Sequence, residues 1–328
     1  MAKKVLIITE TGTNIGLGHL SRCFGLYEAL EAVGAVPEII LKLDGAFEIS
    51  FEDKNIKVLD WWEENNINRI DNSGYGAVVL DSYNATPGIY EYMMGADFPV
   101  FFDDMGSRYE KGTVINGAVK AETLDYPQRG NVSYLLGTKY LCLRKVFWDI
   151  ADKKNKKDVG NILVALGGGD PRGITRIVLE AISENFPTIS KNIVLGKGSA
   201  GYDVEKYVTG KDKVFQSLSG TAMKRLEENA DICICGMGQT LYECACVGTG
   251  AISIAMSDNQ RYDVDRWRDV GFMEYAGMWS DGDLTEKLIG KITFLLDKTE
   301  RERRSCIGKK LVDGQGSSRV AGYIVERI

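Results

Sequence analysis

The chain has 328 residues, with 40 Lys and Arg against 46 Asp and Glu, a formal net charge of −6 and a single histidine. Its 44% hydrophobic and 26% charged residues exclude a disordered or fibrous chain, and the acidic balance argues against nucleic acid or a broad membrane surface as partner. One histidine excludes His-rich metal sites and leaves one imidazole for chemistry near neutral pH.

The length predicts about two domains. Met1 to Lys4, before the apolar Val5-Leu6-Ile7-Ile8, is too short for a signal peptide and reads as the approach to a first strand. No apolar run nears the ~20 residues of a membrane span, so no stable membrane insertion is expected. Seven cysteines, an odd number, predict a reduced, cytoplasmic setting.

In chain order, Val5–Thr9 is a strand, Gly12–Gly18 a glycine-rich loop and His19–Gly34 a helix with Leu20, Cys23, Leu26, Leu30 and Val33 on one side. Pro37–Leu43, Lys57–Leu59, Ala77–Asp81 and Pro99–Asp103 are further strands. The polar run from Asp149 to Asp158 marks a boundary. After it the pattern restarts: strands at Asn161–Leu166, Ile193–Leu195, Lys213–Phe215, Ile232–Cys235 and Ala251–Ala255, with helices between. Alternation of this kind predicts an α/β protein with parallel sheets covered by helices. The expected domains are residues 1–150 and 159–316, with a helix at 317–328 that crosses back to the first.

Cys233-x-Cys235 and Cys244-x-Cys246 have the look of a metal cluster. The first pair falls in a strand, where alternate residues share a face. The second falls in a helix, where two residues span roughly 200°. The expectation is buried structural thiols and no metal.

Three glycine-containing turns follow strands and open helices: Gly16-Leu17-Gly18-His19, Gly167-Gly168-Gly169-Asp170-Pro171 and Gly236-Met237-Gly238-Gln239-Thr240. In an acidic protein, phosphate is held by such local geometry, where unpaired N–H groups and the positive helix end converge. Tight strand-to-helix turns alone would also use these glycines. No Gly-Lys-Ser/Thr completes a P-loop, and Ser21 interrupts a G-x-G-x-x-G, which disfavours a dinucleotide oxidoreductase. Thr240 and Glu243 share a helix face, suited to a phosphate and a ribose diol, or to a capping box. His19 at a helix start is disfavoured as a cation and suited to a general base, with Arg22 one turn on.

Gly16-Leu17-Gly18-His19-x-x-Arg22, Ile162 to Pro171, Gly236-x-Gly238-x-Thr240-x-x-Glu243 and Ser257-Asp258-Asn259-Gln260 together resemble the PseG family, nucleotide-sugar hydrolases of pseudaminic acid synthesis, and its spore-coat polysaccharide relatives. More distantly, the chain resembles the lipid II GlcNAc transferases. The resemblance runs from Val5 to the Asp313-Gly314-Gln315-Gly316-x-x-Arg319-Val320 tail. It implies a GT-B fold of two Rossmann-like domains, the nucleotide on the C-terminal one and the sugar in the cleft, with no metal and no cofactor. Gly18, Gly167, Gly168, Gly169, Gly238, Gln239, Thr240 and Glu243 would then meet the nucleotide, and Arg22, Asn259 and Gln260 the sugar. His19, with Asp81 and Tyr83, would direct water at the anomeric carbon of a UDP-sugar, with UDP leaving and configuration inverting. The family has Asp-His-Tyr where this chain has Asp81-Ser82-Tyr83, which opens the identity of the sugar and the choice of acceptor. Asp103 and Asp104 are candidates for lining the site or for a solvated acidic pair. A glycosyltransferase and a non-catalytic sugar-nucleotide sensor are the other readings.

Overall fold

The computed structural model describes residues 3–12, 15–45, 54–67, 69–128, 130–168, 170, 172–196, 204–216 and 218–328. The chain forms two compact units, Met1–Trp148 with Gly314–Ile328, and Asp149–Asp313.

The first unit contains strands β1 (Lys4–Gly12), β2 (Val36–Asp44), β3 (Ile56–Val58), β4 (Ala77–Asp81), β5 (Pro99–Phe102), β6 (Gly112–Asn116) and β7 (Val132–Leu136). Its helices are α1 (Gly18–Ala32), α2 (Glu64–Ile67) and α3 (Pro87–Gly95). All strand pairs are parallel, in the order β3-β2-β1-β4-β5-β6-β7. A parallel sheet is covered on both faces, which is why β1 reads as one apolar run with both sides buried. Val5 and Ile7 pack on α1 through Leu20, Cys23, Leu26 and Leu30. Leu6 and Ile8 pack on the opposite face with Trp61, Val78, Leu80 and Phe101.

The second unit contains β8 (Asn161–Ala165), β9 (Ser190–Leu195), β10 (Lys213–Gln216), β11 (Ile232–Gly236), β12 (Ala251–Ala255) and β13 (Met273–Met278). Its helices are α4 (Ile174–Asn185), α5 (Gly220–Asn229), α6 (Gln239–Val247), α7 (Val264–Val270), α8 (Leu284–Leu295) and α9 (Lys298–Leu311). This sheet is parallel in the order β10-β9-β8-β11-β12-β13.

The last helix, α10 (Gly316–Val325), belongs to the first unit, where Val320, Ala321 and Ile324 join the α1 side of the core. Its approach explains a glycine inside α1. A Cβ on Gly25 would lie 2.6 Å from the Leu143 carbonyl oxygen and 3.1 Å from Ser317 Oγ. Ser317 Oγ in turn donates to that carbonyl at 2.7 Å.

The α/β class read from the sequence is the observed one, with differences at the margins. Val33 lies past the end of α1 and is 44% exposed, because the helix ends at Ala32, two residues before Gly34. Strands β6, β7 and β13 escaped the sequence pattern. They are five or six residues long, and Thr113 and Asn116, Ser133, or Glu274 and Gly277 interrupt their apolar residues, so neither strict alternation nor a continuous apolar run marks them.

Candidate active site

In each sheet the direction of strand progression reverses between the first strand and the fourth, between β1 and β4 and again between β8 and β11. Loops leaving neighbouring strands at such a point diverge to opposite faces, and ligands bind at the carboxyl ends there. The glycine turns after β1, β8 and β11 all lie at these two reversals.

In the first unit the β1–β4 register pairs Thr9 with Asp81, so the end of β4 stands beside the start of α1. Asp81 is fully buried, and its Oδ1 meets His19 Nδ1 at 2.5 Å. Arg22 grips the same carboxylate side-on, Nε to Oδ2 at 2.6 Å and a terminal nitrogen to Oδ1 at 2.5 Å. Burial alone would raise the Asp81 pKa, but the charges and hydrogen bonds of Arg22 and His19 outweigh it and hold the carboxyl well below its usual range. An ionised carboxylate only accepts, so the proton between the two side chains sits on Nδ1. Nε2 is thereby left as the basic nitrogen.

Three contacts close a ring around this pair, and a fourth packs Arg22 from outside it. The other terminal nitrogen of Arg22 donates to Asp104 at 2.8 and 2.9 Å. The Tyr83 hydroxyl donates to Asp104 Oδ2 at 2.6 Å. The Tyr83 ring, 55% exposed, stands edge-on to the His19 ring at 4.4 Å and 80°. The Arg22 guanidinium also lies over Phe102, 5.1 Å from the ring centre. Arg22, expected to meet the sugar, directs N–H groups to Asp81 and Asp104.

The acidic pair divides its work. Asp104 joins the ring, whereas Asp103 is buried and accepts from the amides of Met105, Gly106 and Ser107 and from the Tyr126 hydroxyl, which fixes the loop after β5. Ser82 donates from Oγ to Glu10 at 2.7 Å. Glu10 was not anticipated; the one trace in the sequence is a carboxylate ending an apolar strand run.

In the second unit the turns after β8, β11 and β12 adjoin. A Cβ on Gly236 would come within 3.0 Å of the Leu166 carbonyl oxygen and 3.2 Å of Met256. Gly167 has φ +120°, a backbone conformation that favours glycine. Asp170 already accepts from the first-turn amides of α4, Ile174 N at 3.0 Å and Thr175 N at 2.6 Å. A carboxylate of the chain itself therefore holds this helix start.

Helix α6 differs. Its N-cap is Gly238, no side chain caps it and no acidic residue lies in its first turn. Thr240 is thus inside the first turn rather than at the cap, which removes the capping-box explanation for Thr240 and Glu243. Gly238 is exposed, Gln239 and Thr240 are half-buried and Glu243 is buried. Gln260 follows β12, and its Oε1 accepts from the Met256 amide at 2.8 Å. Gly169, Pro171 and the side chain of Asn259 lie outside the described residues.

Cys233, Cys235 and Cys244 hydrogen-bond to one another in the core of this unit. Cys244 reaches the strand pair while Cys246 points elsewhere on α6. Among the described residues no group of His, Cys, Asp and Glu is arranged to hold a metal, and no helix is long and apolar enough to cross a membrane.

Two parallel Rossmann-like sheets, each with glycine turns at its reversal, are the GT-B class of fold. No protein-family model matches the chain. It is 27% identical over 325 residues to an uncharacterized protein of Methanocaldococcus jannaschii, covering 89% of this chain and 64% of that one. It is 30% identical over 203 residues to the spore coat polysaccharide biosynthesis protein SpsG of Bacillus subtilis, covering 60% of this chain and 59% of SpsG. The chain thus spans about three fifths of the length of these curated relatives. Among solved structures, MurG of Acinetobacter baumannii matches with TM-score 0.64 and 13% identity over 98% of this chain and 99% of that one. The UDP co-structure of MnaA from S. aureus matches with TM-score 0.66 and 12% identity over 99% and 98%. These likenesses establish the fold; the ligands are those of the other proteins.

Proposed function

We propose that the chain is a hydrolase of a UDP-linked acetamido- or diacetamido-deoxy sugar, releasing UDP and free sugar for nonulosonic acid or surface polysaccharide synthesis. The observation that carries the reading is the Asp81–His19 pair, in which a buried carboxylate fixes the proton on Nδ1 and leaves Nε2 as base. The SpsG likeness and the UDP-bound structural neighbour support the substrate class.

In this reading Nε2 of His19 takes a proton from water as the water oxygen bonds to the anomeric carbon. The bond from that carbon to the diphosphate oxygen breaks, and UDP leaves with the electron pair, inverting configuration. Asp81 stays ionised and stabilises the imidazolium, as the carboxylate of a catalytic triad does. Charge developing on the diphosphate is met by preorganised N–H groups of the Gly167–Gly168 turn and of Gln239 and Thr240 at the start of α6. Glu243 and Gln260 would serve the ribose and the sugar side. This chemistry draws on water and the UDP-sugar alone.

A glycosyltransferase reading keeps the same base and nucleotide site, with a sugar or lipid hydroxyl in place of water. Ser82 in the position of the family's second histidine favours keeping it open. Incubation with a panel of UDP-sugars and no acceptor separates the two: equal release of UDP and free sugar of inverted anomeric configuration is expected. Turnover only with an added hydroxyl acceptor would assign a transferase. UDP binding without turnover in either condition would assign a sensor. His19→Ala should retain UDP binding and lose turnover; near wild-type turnover would remove His19 from the role of base.

A further inference from the structure

Glu10 lies two residues before the end of β1, within its buried run, and is itself fully buried. Its Oε2 accepts from Trp62 Nε1 at 2.9 Å and from Ser82 Oγ at 2.7 Å. Its Oε1 accepts from the Tyr83 amide at 3.0 Å and from Asn84 Nδ2 at 3.0 Å. A carboxylate has about four acceptor sites, and here each oxygen is met by two donors. Three of the donors belong to Ser82, Tyr83 and Asn84, the residues directly after Asp81.

We infer that Glu10 is a positioning residue for the base, acting through the Asp81–Asn84 turn. Glu10 holds the Tyr83 main chain; Tyr83 then lays its ring edge on His19 and its hydroxyl on Asp104. Asp104 pairs with Arg22, and Arg22 with Asp81, which holds Nδ1 of His19. The ring of contacts His19, Asp81, Arg22, Asp104 and Tyr83 is therefore braced from the core by one carboxylate outside it. Ser82 has a task in this arrangement: its Oγ donates to Glu10 and accepts from the Asn84 amide at 2.8 Å, which tightens the turn. A buried carboxylate is costly unless every oxygen is served, so its retention here matches a demand for a fixed turn rather than for stability alone.

The inference rests on His19 as the base, and its test uses a readout that needs no substrate. With one histidine in the chain, full-length protein labelled with ¹⁵N-histidine gives imidazole signals from His19 alone. Tyr83→Leu defines the spectrum of a His19 that has lost the ring. Glu10→Gln places an amide N–H₂ against donors and should shift the His19 signals in the Tyr83→Leu direction, with the rest of the backbone spectrum retained. It should lower kcat on the order of tenfold to a hundredfold while leaving KM within about twofold, since a misplaced base costs chemistry rather than binding.

Glu10→Gln signals that coincide with wild type while Tyr83→Leu moves them would overturn the inference. So would a His19 spectrum indifferent to Tyr83→Leu. If Glu10→Gln does not fold, Ser82→Ala removes one donor from the same oxygen: displacement in the same direction supports the inference, and a wild-type spectrum overturns it. Absence of turnover with every UDP-sugar would count against the sugar-nucleotide reading, while the imidazole spectra would still decide the role of Glu10.

Discussion

At His19, the neighbouring carboxylate sets which nitrogen is basic. Asp81→Asn keeps the shape, but whichever way the amide turns, an N–H₂ faces a donor of Arg22 or donates to Nδ1 and moves the imidazole proton to Nε2. The expected loss is on the order of 10³–10⁴ in kcat with UDP affinity retained, the scale seen when a triad carboxylate becomes an amide. The same variant tests linkage. The Asp81 carboxyl is depressed in the folded state, so its contribution to stability is complete above the ordinary carboxylate value of about 4 and drains away as pH falls through the lower folded value. The Tm gap between wild type and Asp81→Asn should be flat from pH 7 to about 5 and narrow below about pH 4. His19 was legible in the sequence because a glycine turn and a helix start are local. Its bond to Asp81 was not, because 62 residues separate them and the parallel β1–β4 register alone brings them together. Glu10 was hidden for the same reason: its partners lie 52 to 74 residues away.

Among the helices, α6 offers the clearest separation of stability from binding. It begins at an exposed glycine with no side-chain cap, and a Cβ at Gly238 would meet nothing within 4 Å. Gly238→Asp should fold, cap the first turn and raise stability by about 0.3–1 kcal/mol through the helix dipole. The same carboxylate would stand where the diphosphate is expected, so calorimetry should show UDP affinity falling by on the order of tenfold or more. Unchanged affinity would move the phosphate away from α6. By contrast α4 carries such a carboxylate natively in Asp170, a distinction that three glycine turns of similar appearance did not show. Glycine spacing announces a turn, whereas the side chain that fills the first-turn amides is settled by the path of the loop. Strands β7 and β13, at the far end of each sheet, were missed because Ser133, or Glu274 and Gly277, break their short apolar stretches.

Across the whole chain, each unit has its own core, and the cysteines report on both. Six of the seven are buried, and only Cys306 is exposed. Burial pushes the Cys142 thiol up to about 12 and Cys246 likewise to about 12. One fast thiol per native chain is expected with a disulfide reagent and seven after denaturation; a second fast thiol would show that one of the cores opens readily. The path of α10 gives a sharper test. Val320 and Ile324 are fully buried against α1, although they follow the second unit in the sequence. Burying two such side chains contributes roughly 3–6 kcal/mol, a large share of the roughly 5–15 kcal/mol that a folded domain typically has. A chain ending at Asp313 keeps every residue of the second unit and strips the first of that face. Limited proteolysis should then cut within residues 3–148 and spare 149–313, UDP binding should survive, and turnover through His19 should be lost. Loss of UDP binding together with turnover would mean that the second unit does not hold the nucleotide by itself, and would move part of the nucleotide site onto the unit that carries His19.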